Sequence, residues 1–169
     1  MKTSISSLKE ALLFGLNGLY DAEKKIEKFL NRVEGSIKSQ DLRHEVAGYA
    51  ASGAVRLNKL KWAFEYLVEE RHRRNNKVVD AMTEELDLLA EEVHSESVRD
   101  AMIVCCVQQI CHYKMAVYGT CMAFAHELRL HDTEEICREI LESEKNMDKR
   151  LTELAVSQIN DDALAEELR

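Results

Sequence analysis

No proline occurs anywhere in this chain, and only six glycines are spread over its 169 residues. Proline and glycine are the residues that most often drive a backbone out of a helix or into a tight turn. Without them few positions can support a strand-and-turn fold, and an all-α fold is the expectation. Apolar residues make up 46% and charged residues 32%, the balance of a globular chain covering a single core. The length suits one such core better than two. A single helical domain over 1–169 is therefore expected.

Several classes of function are disfavoured at once. A formal charge of −8 argues against a nucleic-acid or anionic-membrane surface, both of which need positive potential. The basic run RHRRNNK, 71–77, falls where the helical pattern breaks and lacks interleaved aromatics, so it reads as a solvated loop rather than a phosphate patch. No apolar run approaches the roughly 20 residues of a membrane span or resembles a signal peptide, so a cytoplasmic location is expected. Five cysteines, none in a C-x-x-C pair, read as thiols rather than a disulfide framework. Glycine-rich phosphate loops, nucleophile triads and zinc-finger spacings are absent from the sequence.

Periodicity divides the chain into four long helices and one short one. The first, about 7–34, opens with Ser7 and Glu10 in capping-box spacing and carries Leu12, Leu16, Leu19, Glu23, Ile26 and Leu30 on one stripe. The second, about 40–70, sets Leu42, Val46, Tyr49, Ala50, Gly53, Leu57, Leu60, Phe64 and Leu67 on one face. A crossover holds a short amphipathic helix, about 77–94, on Val78, Val79, Met82, Leu86, Leu89 and Val93. The third long helix, about 97–129, aligns Ile103, Val107, Ile110, Lys114, Val117, Cys121, Phe124 and Leu128. The fourth, about 132–158, is expected to be capped by Asp132 with Glu135, and its stripe contains Glu144 and, one turn on, Asp148. The tail NDDALAEELR is polar and reads as a frayed helical end.

Two helices, a long crossover and two more helices form the pattern of a ferritin-like four-helix bundle. Bundles of that kind hold two metal ions with carboxylates and imidazoles projecting inward. Glu23, Glu144 and Asp148 are placed to do so here, but Lys114 shares the inner face.

The runs LYDAEKKIEKFL, VRDAMIVCCVQQICHYKMAVYGT and ILESEKNMDKRLTELA resemble the bacterial YciE/YciF stress-protein family, a similarity that extends over nearly the whole chain. That resemblance implies a ferritin-like fold, a homodimer and a candidate metal site, with a loose association to stress. The sequence departs from the family at the presumed ligands. Gly18 stands where an Asp is frequent, Tyr49-Ala50-Ala51-Ser52-Gly53 replaces a pattern like His-Leu-Glu-Glu-Thr, and Cys111-His112-Tyr113-Lys114 replaces Glu-His-Tyr-Glu. Glu23, Glu144 and Asp148 remain.

The favoured reading is a degenerate site, Glu23, Tyr49, Ser52, Cys111, Lys114, Glu144 and Asp148, in which the Lys114 ammonium replaces a metal's charge among crowded carboxylates. Such a protein would be non-catalytic, take no cofactor, and act by binding or oligomerising. Its dimer surface could lie on the short crossover helix or on the polar side of the third helix with Gln109, His112 and Glu127. Three alternatives stand beside it. The charged residues can have blander roles: Lys114 can snorkel to solvent, Glu23 can cap a local hydrogen-bond network with no metal role, and Glu144 and Asp148 can form solvent ion pairs. Glu23, Cys111, Glu144 and Asp148 can hold iron, manganese or zinc in a redox protein. The small residues 50–54 can leave a pocket unless Tyr49, Trp62 and Phe64 fill it. His112 falls on the polar side of its helix, and Cys105, Cys106, Cys121 and Cys137 read as small apolar fillers.

Overall fold

A computed structural model describes residues 5–168, apart from the side chains of Leu86, Leu89, Ala90 and Glu91. Leu86 and Leu89 of the crossover stripe thus lie outside the described residues. Helix α1, Leu8–Val33, begins at the expected capping box: the Glu10 backbone N–H donates to Ser7 Oγ at 3.2 Å, and the Ser7 N–H donates to Glu10 Oε2 at 3.0 Å. A 3₁₀ turn at Glu34–Ser36 leads to α2, Gln40–Ala51. There the buried Asp100 carboxylate receives the Lys38 and Ser39 backbone N–H groups at 3.0 and 2.7 Å.

The second long helix is interrupted where continuity was expected. It divides at Ser52 into α2 and α3, Gly53–Leu67. Ser52 Oγ donates to the Tyr49 carbonyl at 2.7 Å, and serine followed by glycine is a weak place in a helix because one competes for backbone partners and the other adds chain entropy. Helix α3 ends three residues before position 70, with Val68 in the left-handed region at φ 53°. The Val68 N–H donates to the Glu65 carbonyl and the Glu69 N–H to the Phe64 carbonyl, the pairing of a Schellman motif, whose left-handed position favours glycine. Val68 is β-branched and almost wholly exposed, so its side chain strains the backbone without a packing return. Val68→Gly should raise the unfolding free energy by about 1 kcal/mol in urea denaturation; an unchanged or lower midpoint would contradict the strain.

Helix α4, Lys77–Glu92, carries the crossover. Helix α5 spans Glu96–Glu127 and α6 spans His131–Leu154. Arg129, at φ 58°, closes a second Schellman motif through Arg129 N–H to His126 O and Leu130 N–H to Ala125 O. This tight reversal starts α6 early, with Leu130 at the N-cap and no side-chain cap. Asp132 is consequently not the cap; it lies in the first turn, where its charge faces the positive end of the helix. At the far end α6 stops at Leu154, a π turn covers Ala155–Ile159, and α7, Asn160–Glu167, follows. The tail, read from the sequence as a frayed helical end, is helical as far as Glu167, and Glu166 receives Lys38 Nζ at 3.2 Å.

Cross-helix pairs fix the topology. Lys25–Asp80 and Arg32–Asp87 advance together along α1 and α4, so these helices run parallel. Lys59–Glu139 and Arg150–Glu45 advance oppositely, so α2–α3 runs against α6. Lys9–Glu69 brings the end of α3 to the start of α1, and Asp100 brings the start of α5 to the end of α1. The result is up, down, crossover, down, up, the order expected from the helix pattern. Among the described residues there is no strand, and no helix is long and apolar enough to cross a membrane.

The core has two apolar halves. One gathers Ile26, Leu30, Val46, Ile110 and Met147, and the other Leu12, Leu16, Leu60, Tyr118 and Ile140. Along α5 the buried face departs from the expected stripe after Lys114: Tyr118 and Ala125 are buried, whereas Val117 and Phe124 are half-buried. That shift brings the Tyr118 hydroxyl to the level between the two halves.

Candidate functional site

Between the apolar halves each long arm of the bundle contributes one charged residue. Glu23 follows Leu19 and Ala22 on α1, Arg56 precedes Leu60 on α3, Lys114 lies between Ile110 and Tyr118 on α5, and Glu144 lies between Leu141 and Met147 on α6. Glu23, Lys114 and Glu144 are 0% exposed and Arg56 3%. The apolar residues one turn before and after each of them bury the backbone at that level, so the side chains have no path to water. Two cations and two carboxylates are thereby held together in a dry layer.

The Lys114 ammonium sits between the carboxylates, 2.8 Å from Glu23 Oε1 and 2.6 Å from Glu144 Oε1, and donates to the Tyr49 hydroxyl at 3.1 Å. Its three donors thus find three acceptors. Arg56 Nε donates to Glu23 Oε2 at 2.7 Å and lies 3.9 Å from Glu144 Oε1. Its remaining nitrogens reach Ser52 Oγ and the Tyr49 carbonyl, and its guanidinium lies 4.6 Å from the centre of the Tyr49 ring. Tyr118 donates to Glu23 Oε1 at 2.9 Å and Tyr49 donates to Glu144 Oε2 at 2.5 Å. Every carboxylate oxygen of the layer accepts at least one hydrogen bond, the condition under which buried charges are tolerated.

Electrostatics follow from this geometry. Burial acts to raise the Glu23 pKa, but the charges of Lys114 and Arg56 and their hydrogen bonds outweigh it and hold the carboxyl below its ordinary value of 4.5. Burial and then the Glu144 charge push the Tyr49 hydroxyl well up, and burial followed by Glu23 does the same to Tyr118. Both phenols are therefore neutral donors. Because the folded pKa of Glu23 lies below its unfolded one, its contribution to stability is present above pH 4.5 and is lost as the pH falls below that value. Urea midpoints measured from pH 7 down to 3 should fall more steeply for the wild type than for Glu23→Gln, and equal slopes would contradict the assignment.

The residues fit a bound metal poorly. The donors that a metal would need are taken up by Lys114, Arg56, Tyr49 and Tyr118, and a divalent cation would meet two fixed cations at the same level. Asp148 is not in the layer: its carboxylate faces Gln108 Nε2 at 3.1 Å and His112 Nε2 at 3.3 Å at the bundle surface. The reason is angular, since Asp148 follows the inward Met147 by one residue and so points about 100° away. The four-residue set Glu23, Cys111, Glu144 and Asp148 is therefore not assembled. The Cys111 thiol donates to the Tyr49 hydroxyl at 3.7 Å, and burial, then Glu144, pushes its pKa up to about 12.

Other expected residues divide similarly. Ser52 reaches the layer only through Arg56. His112 lies on the surface, as expected, and Cys106, Cys121 and Cys137 are buried, but Cys105 is exposed rather than a core filler. Trp62 does not fill space beside 50–54; it is 51% exposed, and Ala51 and Ala54 face outward. Arg56, stacked on Tyr49, occupies the inner side of that patch. Arg56 and Tyr118 were not anticipated. Their signal was present: Arg56 falls three residues after Gly53 and four before Leu60, as regular an inner position as that of Lys114.

Comparison with known proteins places the chain among relatives of like size. Residues 7–164 match the family described as Domain of unknown function (DUF892). Protein YciF from Escherichia coli (strain K12) is 24% identical over 158 residues, covering 93% of this chain and 95% of that protein. Among solved structures, YcfI from Rhodopseudomonas palustris is 28% identical with a TM-score of 0.87, covering 90% of this chain and 97% of the other. The crystal structure of the E. coli stress protein YciF gives a TM-score of 0.88 at 23% identity, covering 92% and 99%, a likeness of fold.

Proposed function

The chain belongs to the DUF892 family, and from that premise we propose that it is a ferritin-like member in which a lysine–arginine–carboxylate layer stands where ferritin-like bundles hold two metal ions. It is non-catalytic, cytoplasmic and stress-related, and it acts through binding or as a homodimer. One observation carries the reading: a single ammonium, Lys114 Nζ, bridges the facing carboxylates of α1 and α6 at 2.8 and 2.6 Å. The description of the E. coli relative as a stress protein supports the physiological setting.

For the dimer, the support lies in α5. From Ala101 to His126 the only Lys, Arg, Asp or Glu is the buried Lys114. The exposed α5 face of Cys105, Gln109, His112 and Ala116 therefore contributes no acidic side chain of its own, and the nearby carboxylate of Asp148 on α6 is held by Gln108 and His112. A second copy of a chain with net charge −8 meets little repulsion from the α5 side chains there.

Purified without chelator, incubated with Fe(II), Mn(II) or Zn(II) and desalted, the wild type should retain far less than one metal ion per chain, with an unchanged melting temperature. Stoichiometric retention accompanied by a raised melting temperature would overturn the proposal.

A further inference from the structure

At the start of the bundle, away from the charge layer, the segment 68–76 lies across α1 and is tied to it. The His72 N–H donates to Asn17 Oδ1 and the Asn76 N–H to Asp21 Oδ2, each at 2.8 Å. Buried Asn76 also donates to the Gly18 carbonyl at 2.9 Å and to the Tyr113 hydroxyl at 2.7 Å. The basic run is thus an exposed loop, as expected from composition, but one tied to α1 through the His72 and Asn76 backbone and the buried Asn76 side chain.

Three guanidinium groups in this run have no carboxylate partner among the described residues, although acidic residues outnumber basic ones by 31 to 23. Of the neighbouring acids, Glu70 forms no ion pair with these groups, and three others are engaged elsewhere. Glu10 serves the α1 cap, Asp21 holds Lys25 and the Asn76 N–H, and Glu69 pairs with Lys9. Arg71 stacks 3.9 Å from the Tyr20 ring centre, and Arg74 lies over the Phe14 ring and donates to the Phe14 carbonyl. Gly18 makes room for this seat, because a Cβ there would lie 2.5 Å from Arg74 Nη1. Of the five N–H donors of Arg74, none but that to Phe14 meets a protein acceptor among the described residues.

Beside Arg73 and Arg74 is a groove of about 540 Å³, lined otherwise by Ile5, Leu13 and Phe14 and by the polar Glu10, Asn17 and His72; the Glu10 carboxylate is turned to the α1 cap, where its Oε2 accepts from Ser6 and Ser7. The groove's volume falls in the usual range for small-molecule sites. An apolar wall beside two guanidinium groups that have no carboxylate partner among the described residues is the complement of an amphipathic anion. We propose that this groove binds a small acyl carboxylate, its head on Arg73 and Arg74 and its chain along Ile5, Leu13 and Phe14. Guanidinium groups suit a carboxylate through paired N–H donors, and the apolar wall would contribute nothing to an inorganic anion.

Octanoate is the probe, followed by ligand-observed NMR titration of the full chain, with hexanoate, acetate and inorganic phosphate as comparisons. Octanoate should bind about two- to fourfold more tightly per added methylene than hexanoate, with acetate and phosphate far weaker. Arg73→Gln and Phe14→Ser alter exposed side chains, and circular-dichroism melts check that both variants remain folded. Each should weaken octanoate about tenfold. Equal competition by phosphate would reduce the site to a general cationic patch and overturn the proposal. So would wild-type affinity in both variants, or no octanoate binding up to its solubility limit.

Discussion

Lys114→Met should lower the unfolding free energy by about 3–5 kcal/mol. Methionine is unbranched like lysine and fills much the same space, so the change removes charge with little change in packing. Glu23 and Glu144 would then face one another with Arg56 as their only cation. Arg56 Nε lies 2.7 Å from the first but 3.9 Å from the second, so Glu144 would keep only Tyr49 as a close partner. An uncompensated carboxylate in a dry layer is costly to a degree that a lost surface pair is not. Removing its counterpart as well, in Lys114→Met/Glu144→Leu, restores charge balance around Glu23 and Arg56. The double variant should therefore be more stable than Lys114→Met alone. Urea denaturation of the wild type, both single variants and the double closes the cycle, and additive losses would contradict a coupled layer.

Arg56→Leu has a similar expected effect, about 3–5 kcal/mol, for a different reason. Arg56 joins α3 to α1 through Glu23 Oε2, spans the break at Ser52, and donates to the Tyr49 carbonyl. Leucine leaves those acceptors buried with fewer donors. Arg56→Lys keeps the charge but has no planar fork with which to reach all three groups. It should recover only part of the loss in the same denaturation assay. Full recovery would mean that Arg56 acts as charge alone.

How much of this was legible in the sequence depends on the scale of the feature. The bundle and its crossover followed from the spacing of leucine, isoleucine and valine, a signal repeated over many turns. Helix ends were less legible, because the left-handed positions are held by Val68 and Arg129, and neither residue type announces a Schellman motif. Within the site, Glu23, Lys114 and Glu144 stood out as charges on otherwise apolar stripes. Arg56 belongs to the same class but was obscured by Leu57, its neighbour in the sequence, which occupies an adjacent angle and is only half-buried. Asp148 shows the converse error: one turn from Glu144, it lies far enough around α6 to reach His112 instead. The fixed seat of the basic run could not be read from composition, since it depends on Asn17, Asp21 and Asn76, which are more than 50 residues apart in sequence across each hydrogen bond.

The central claim is that a lysine has taken the charge role of a metal in this core, and it is tested most directly by the melting temperature of Lys114→Glu with and without Mn(II) or Fe(II), measured beside the wild type. With three carboxylates against Arg56, the variant should melt below the wild type without metal and rise on metal addition, while the wild type does not respond. A wild type stabilised by stoichiometric metal, or a variant as stable as the wild type and indifferent to metal, would contradict the account.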